Sequence, residues 1–247
     1  MKAVRIHSFG PPDVVVVEDV PTPTPGPNEV LVRVMAAGVA PWDAIIREGK
    51  SKVGPQPPLT LGSDFSGVVE EVGPGVTGFA PADEVYGVTN PQFCGAQAEF
   101  AVATSGMVGR KPQSLNHVEA ASAPVIAVTA WQMLFQYAHA MRGHTVMVVG
   151  AAGNVGAYAV QMAVDAGIHV VAIAHLADEP APIIGPEIHH RLEEACIRAG
   201  PPAGGHYPRH GRGQYVAALR RCVKTRRQTR HLRLHAAAPS RGRFLLR

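Results

Sequence analysis

The sequence has few cysteines, and the three it contains are far apart. Cys94, Cys196 and Cys222 are too few and too scattered for a disulfide framework or a cysteine-rich zinc site. No apolar run approaches the roughly 18 residues of a membrane span, so we expect none. The N-terminus lacks an apolar segment followed by a small-residue cleavage site, so no secretory signal is predicted. These absences together predict a soluble protein of a reducing compartment, the cytoplasm.

Charge is scarce in the first part of the chain and concentrated in the last. Of the 247 residues, 46% are hydrophobic and 17% charged, which is enough apolar material for one large or two modest domains. Residues 1–174 contain 9 Lys and Arg and 14 Asp and Glu, whereas residues 175–247 contain 14 Lys and Arg and 5 Asp and Glu. Thirteen of those 14 basic residues are arginine. The composition therefore indicates two different parts joined near residue 175.

Residues 175–247 also lose the periodicity of helices and strands. An arginine-rich segment of this kind is typical of a shifted reading frame in GC-rich coding sequence, so we expect a frameshifted or truncated product. The alternative is a genuine basic appendage that binds a polyanion by charge. No pattern for specific nucleic-acid recognition accompanies the arginines, so nucleic acid is not an expected partner.

Short alternating segments separated by glycine and proline predict β structure over residues 1–110. After Pro112, helical patterns begin, and Asn116 with Glu119 matches a capping box. His144–Val149, a glycine-rich turn, a helix at Val155–Ala166 and a strand at Ile168–Ala174 then form a predicted βαβ unit.

The glycine-rich turn has the spacing of a dinucleotide-binding loop. Gly150 suits a tight turn, Gly153 lets backbone amides approach a diphosphate, and Gly156 permits close packing of helix on strand. The context of strand, turn, helix and strand supports this interpretation over a merely structural turn. The predicted cofactor-binding residues here are Gly150, Ala151, Gly153, Asn154, Val155 and Gly156.

The end of the second strand favours NADPH over NADH. NAD sites usually place an acidic residue there for the ribose 2′-hydroxyl. This chain has Ala174 and His175 instead, and Asp178 comes three residues too late. His175 is therefore a candidate contact for a 2′-phosphate.

Residues 1–174 resemble the medium-chain dehydrogenase/reductase superfamily, in its zinc-independent, quinone-oxidoreductase-like branch. The resemblance rests on ordered motifs: Ala36-Ala-Gly-Val-Ala-Pro-Trp-Asp43, Leu61-Gly-Ser-Asp-Phe-Ser-Gly-Val-Val69, Gly78-Phe-Ala-Pro-Ala-Asp-Glu-Val-Tyr-Gly87, Thr129-Ala-Trp131 and the Gly150–Gly156 turn. It implies an α/β protein with a GroES-like substrate domain at 1–115. An incomplete Rossmann domain, a doubly wound parallel sheet that binds NADPH, would follow at 116–174, and the tail at 175–247 does not match.

The resemblance also assigns candidate site residues. Thr129 matches a position that approaches the nicotinamide, and Trp42, Asp43 and Tyr86 are candidates for the substrate pocket. Trp42 and Tyr86 are equally ordinary as core or rim aromatics, and Asp43 suits a structural hydrogen bond as well as a catalytic role. Ala40 and Ser63-Asp64 stand where zinc-dependent relatives have their ligands, so no metal is expected. No side-chain proton donor is assigned.

The resemblance thus implies an NADPH-dependent oxidoreductase that transfers a hydride to a quinone or an activated alkene or carbonyl, without zinc. The expected partner is a small-molecule substrate, with no membrane and with a homodimer left open. Activity of this chain stays open too. The alternative is a non-catalytic, truncated relative that acts as a binding or interaction module.

Overall fold

A computed structural model describes residues 1–174, which fall into two compact units. The first unit is Met1–Val125 and the second begins at Ile126. Residues 175–247, with the candidate His175 and the predicted tail, lie outside the described residues. No helix among the described residues is both long and apolar enough to cross a bilayer.

The first unit consists mainly of antiparallel β structure. Its strands are β1 (Lys2–Ile6), β2 (Val15–Asp19), β3 (Glu29–Ala37), β4 (Leu59–Thr60), β5 (Asp64–Val72), β6 (Glu84–Val88), β7 (Phe100–Thr104) and β8 (Val108–Arg110). A five-stranded sheet has the order β7-β3-β5-β6-β8, and a three-stranded sheet has the order β2-β1-β4. Two short helices accompany them, α1 (Pro41–Arg47) and α2 (His117–Ala121).

Side chains of the five-stranded sheet form one core cluster of the first unit. Phe65 and Val69 of β5 lie in a core cluster with inward residues of β3, β6 and β7: Val30, Val32, Val85 and Ala103. A second cluster, formed by Ile6, Ile46, Leu59 and Leu61, packs α1 against β1 and β4. This second cluster fixes the helix that carries Trp42.

The predicted capping box at the start of α2 is confirmed. The Glu119 amide donates to Asn116 Oδ1 and the Asn116 amide donates to Glu119 Oε2, each at 2.9 Å. Both amides would otherwise lack a partner inside the helix, because the first turn has no preceding carbonyls. The cap therefore sets where α2 begins.

Helix α3 (Pro124–Trp131) starts at a proline, which suits a first helical position because no amide is needed there. It continues as a π-helical turn over Gln132–Tyr137, and His139 then adopts a left-handed φ of 48°. The left-handed residue redirects the chain toward the next strand.

The second unit contains the predicted βαβ element. Strands β9 (Thr145–Val149) and β10 (His169–Ile173) pair in parallel, and α4 (Asn154–Asp165) connects them. Buried residues of both strands and of α4 form its core: Val146, Val148, Ala157, Ala159, Val160, Ala163 and Ala172. The register places Val149 beside Ile173, so both strands end at the same edge.

Candidate functional site

The turn between β9 and α4 needs glycine at two positions. Gly150 has a φ of +79°, a left-handed conformation that other residues adopt only with strain. A Cβ on Gly156 would lie 2.1 Å from the carbonyl oxygen of Gly150, far inside van der Waals contact. The first turn of α4 therefore lies directly against the end of β9, as the sequence pattern predicts.

Backbone hydrogen bonds fix this turn on the neighbouring strand. The amides of Gly150 and Ala151 both donate to the carbonyl of Ile173, at 2.8 and 3.0 Å. The Gly153 amide donates to the Gly150 carbonyl at 2.9 Å. The loop thus rests on the end of β10, where the ribose of a dinucleotide is expected to bind in this type of fold.

The start of α4 has the character of an anion-binding helix terminus. Gly153 is the N-cap residue and its carbonyl accepts the first helical bond, from Ala157, at 2.8 Å. The amides of Asn154, Val155 and Gly156 precede that bond and have no carbonyl partner within the helix. These amides, with the positive end of the helix dipole, suit a diphosphate.

Thr129, the remaining candidate for the cofactor site, is half-buried on α3. Trp131, two residues later, is half-exposed, and its ring packs at a tilt against Phe135 with centroids 5.9 Å apart. The contact of Thr129 with a nicotinamide stays a prediction.

In the first unit, Trp42, Ser63 and Asp64 form a continuous hydrogen-bonded chain. The Trp42 indole Nε1 donates to Ser63 Oγ at 2.9 Å, and Ser63 Oγ donates to Asp64 Oδ2 at 2.6 Å. Asp64 Oδ1 accepts the amide of Val125, in the first turn of α3, at 2.7 Å. Ser63 and Asp64 are only 1% and 6% exposed. The chain therefore links a candidate pocket residue to a buried carboxylate that caps α3.

Asp43 lies in the same region but faces its own helix. Its Oδ2 accepts the amide of Ala40 at 2.8 Å, which caps α1 at its start. Gln97 Nε2 lies 3.5 Å from the same oxygen, and Asp43 is 6% exposed. The geometry thus includes a structural hydrogen bond of Asp43, and a catalytic contact stays a prediction.

Burial perturbs both carboxyl groups in the same direction. Desolvation raises the pKa of Asp64 above its usual value, while the hydrogen bonds from Ser63 and Val125 oppose this rise. Desolvation also raises the pKa of Asp43, and the nearby Asp64 charge adds to the rise, against the amides of Ala40 and Gly62. The hydrogen-bond donors thus compensate in part for removing the two carboxylates from water.

Tyr86 occupies a different position from Trp42. It is half-buried on β6, paired in register with Ser66 on β5 and Gly109 on β8, and its ring lies over Gly109. Among the described residues, the ring that contacts Trp42 belongs to Phe93. A shared pocket of Trp42 and Tyr86 stays a prediction.

Comparison with known proteins places this geometry in a family. Residues 26–113 match the alcohol dehydrogenase GroES-like domain. The quinone oxidoreductase of Pongo abelii is 36% identical over 175 residues, which are 70% of this chain and 53% of that protein. The mitochondrial NAD(P)H oxidoreductase RTN4IP1 of Mus musculus is 39% identical over 166 residues, 60% of this chain and 42% of that protein.

A solved mycobacterial structure in complex with NADPH has a TM-score of 0.70 and 29% identity, covering 91% of this chain and 64% of its own. Over the matched segment, the chain is a quinone-oxidoreductase-like relative in the medium-chain dehydrogenase/reductase superfamily. The chain spans about half the length of the two curated relatives. The expected order of a GroES-like β domain and a Rossmann-type βαβ unit is confirmed over this partial segment.

The positions that hold zinc in other branches of the superfamily carry residues poorly suited to a metal. Ala40 has no ligating atom, and the Ser63 hydroxyl is engaged with Trp42 and Asp64. Within residues 1–174, no three His, Cys, Asp or Glu side chains form a group that could hold a metal ion. The side chains at these positions form a hydrogen-bonded network, and independence of zinc stays a prediction.

Two features of this candidate site were not predicted from the sequence. Ser63-Asp64 were interpreted only as replaced ligand positions, although the pair joins Trp42 to α3. Phe93, which packs against Trp42 from the segment after β6, was not among the candidate residues. Neither the Trp42–Ser63 bond nor the Trp42–Phe93 contact leaves a local sequence pattern, because the partners are more than 20 residues apart in sequence.

Proposed function

We propose that the protein is an NADPH-dependent oxidoreductase that reduces a quinone, or an activated alkene or carbonyl, without a metal. The observation that carries the proposal is the β9–α4 turn, where Gly150 and Gly156 are required by backbone conformation and by close contact. A turn with unpaired amides at the start of a helix suits the diphosphate of a dinucleotide. The names of the curated relatives support an oxidoreductase of this kind.

The preference for NADPH is supported by the uncharged end of β10. Ile173 and Ala174 bring no carboxylate to the place where a ribose 2′-hydroxyl is usually bound. A 2′-phosphate there therefore meets no repulsion from these two residues. The NADPH complex of the mycobacterial relative agrees with this choice.

Independence of zinc is supported by the donor set. Catalytic zinc needs three protein ligands, usually from Cys, His, Asp or Glu. Ala40 and the doubly hydrogen-bonded Ser63 do not provide them. We therefore expect the site to act by positioning the two reacting molecules and by hydrogen bonding.

NADPH supplies a hydride from the nicotinamide, and a quinone that accepts it needs one proton to become the hydroquinone. The chain's part is to bind and orient the two molecules, which accounts for most of the rate enhancement in such reactions. The amides of Asn154, Val155 and Gly156 would hold the diphosphate, and Trp42 would provide a flat wall for the acceptor. Asp43 and Asp64 are buried and engaged with backbone amides, so the proton comes from solvent.

The test is NADPH oxidation by the purified full chain with 1,4-benzoquinone, followed by absorbance, together with NADPH binding followed by fluorescence. Gly156→Ala should abolish binding because its Cβ would displace α4 from the turn. Gly106→Ala is the matched control, since no atom lies within 4 Å of its added Cβ. Binding without turnover would support the alternative of a non-catalytic binding module. Binding that survives Gly156→Ala would contradict the proposed site.

A further inference from the structure

Phe93 has a backbone conformation that non-glycine residues rarely adopt. Its φ is 58°, in the left-handed region. Such residues persist only where the surrounding structure holds them, and they are common at ligand sites.

A dense set of hydrogen bonds holds Phe93 in place. Thr89 Oγ1 and Asn90 Nδ2 both donate to the carbonyl of Cys94, at 2.7 and 2.8 Å. The amide of Gln92 donates to Asn90 Oδ1 at 3.0 Å, and the Phe93 amide donates to the Asn90 carbonyl at 3.1 Å. The turn that contains Phe93 is therefore fixed from both sides.

The Phe93 ring lies between a core cluster and the Trp42 indole. One side packs on the cluster that includes Ile46 and Leu61. Its ring meets that of Trp42 at a centroid distance of 6.5 Å and an interplanar angle of 69°, an edge-to-face arrangement that aromatic pairs favour. Phe93 therefore holds the Trp42 ring in a fixed position relative to this core cluster.

The indole is held at a second point by the buried Ser63 hydroxyl, which accepts its N–H at 2.9 Å. A hydrogen bond and a ring contact together leave the half-buried indole little freedom to rotate. The bond also determines which way the ring plane faces, because the indole has a single N–H donor. Trp42 is therefore organised before any acceptor arrives.

We propose that Phe93 and Ser63 are specificity-determining residues that hold Trp42 as a fixed flat wall, so that the site selects planar conjugated rings over puckered ones. This inference rests on the proposed function, since it assigns the acceptor class of that same site. A planar quinone contacts a fixed indole with its whole face, whereas a puckered ring makes fewer contacts. A freely rotating indole would lose this difference.

The positioning is tested by NMR on the full chain. The Trp42 indole N–H resonance is assigned by its loss in Trp42→Phe. In Ser63→Ala this resonance should shift, and its proton should exchange faster with solvent. In Ser63→Thr, which keeps the hydroxyl acceptor, its position and exchange rate should stay those of the wild type. Phe93→Leu keeps the apolar packing but removes the ring, and should also shift this resonance. Phe79→Leu, a partly buried Phe packed on the other core cluster, is the matched control and should leave it unchanged.

The selectivity is tested by binding, so that it does not depend on turnover. Dissociation constants for 1,4-naphthoquinone and 2-cyclohexen-1-one are measured by the same resonance. The preference for 1,4-naphthoquinone is the dissociation constant of 2-cyclohexen-1-one divided by that of 1,4-naphthoquinone. This ratio should fall about 3- to 10-fold in Phe93→Leu and in Ser63→Ala, the range expected for one aromatic contact. Thermal melting establishes that each variant is folded.

A Trp42 resonance that is unchanged in both folded variants would overturn the positioning. A ligand ratio that stays at the wild-type value, or a wild type that does not favour the naphthoquinone, would overturn the selectivity. Failure of the wild type to oxidise NADPH while the ratio still falls in the variants would reject the proposed reaction and leave this inference standing.

Discussion

The three glycines of the β9–α4 turn should respond to alanine in a definite order. On Gly156, the added Cβ would lie 2.1 Å from the Gly150 carbonyl oxygen and 2.9 Å from the Ala151 Cα. Both are backbone atoms, so no side chain can move aside, and we expect a cost of about 3 kcal/mol, the upper end of overpacking. On Gly150, no atom lies within 4 Å but the φ is +79°, so the cost is the left-handed strain of about 1–2 kcal/mol.

Gly153 should be the most tolerant of the three. Its φ of −76° is open to any residue, and its Cβ would meet only the Gly150 carbonyl oxygen, at 3.2 Å. The remaining loss is that alanine is a poorer N-cap than glycine, which costs about 1 kcal/mol or less. The expected order of destabilisation is therefore Gly156→Ala, then Gly150→Ala, then Gly153→Ala.

The assay is thermal melting of the full chain by circular dichroism, with NADPH affinity measured in parallel. One kcal/mol corresponds to about 2–4 °C for a chain of this size, so Gly156→Ala should melt about 6–12 °C below wild type. Gly156→Ala should also lose NADPH binding, and the other two variants should lose less affinity, because the amides move with α4. If Gly150→Ala melted below Gly156→Ala, or if Gly156→Ala melted with the wild type, close packing would not be the reason for Gly156.

Four further outcomes are expected. Asp64→Ala should destabilise the folded state by about 2–4 kcal/mol in urea melts, because the Val125 amide and the Ser63 hydroxyl lose a buried acceptor, whereas Asp64→Asn should cost much less. Burial raises the Asp64 pKa above 3.8, so the folded state holds its proton longer than the unfolded chain. The free energy of unfolding should then fall as pH rises from about 3.8 through the raised pKa, and fall less in Asp64→Asn. Purified protein treated with EDTA should keep its melting temperature and its NADPH affinity, and zinc-dependent folding would contradict the proposed metal independence. Gly153→Asp should weaken NADPH binding, because it places a carboxylate at the diphosphate.

Much of the fold was predictable because its signals are local. The capping box at Asn116 and Glu119 lies within one helical turn, and the glycine spacing lies within one βαβ unit. Strands of five or more residues also leave an alternating pattern. The two-residue strand β4 and the three-residue strand β8 do not, because they are defined by pairing with distant partners.

The candidate site was less predictable because its contacts are not local. Ser63 is 21 residues from Trp42, and Asp64 is 61 residues from the Val125 amide that it accepts. The left-handed φ of Phe93 depends on hydrogen bonds within its turn, but its significance depends on Trp42, which lies on α1. Residue types alone do not distinguish such a network from ordinary polar and aromatic side chains.

Ser63 and Asp64 illustrate how one position in a fold can serve two chemistries. A metal at this position would hold its ligands by strong, directed bonds and would polarise a bound oxygen. Here the same backbone position carries a hydroxyl that accepts from Trp42 and a carboxylate that caps α3. Two donors, the Ser63 hydroxyl and the Val125 amide, stabilise the buried carboxylate, and its raised pKa reflects the desolvation that these donors do not fully offset. The pair thus orders the surrounding side chains through hydrogen bonds, and the proposed reaction depends on how firmly Trp42 and the glycine turn hold their ligands.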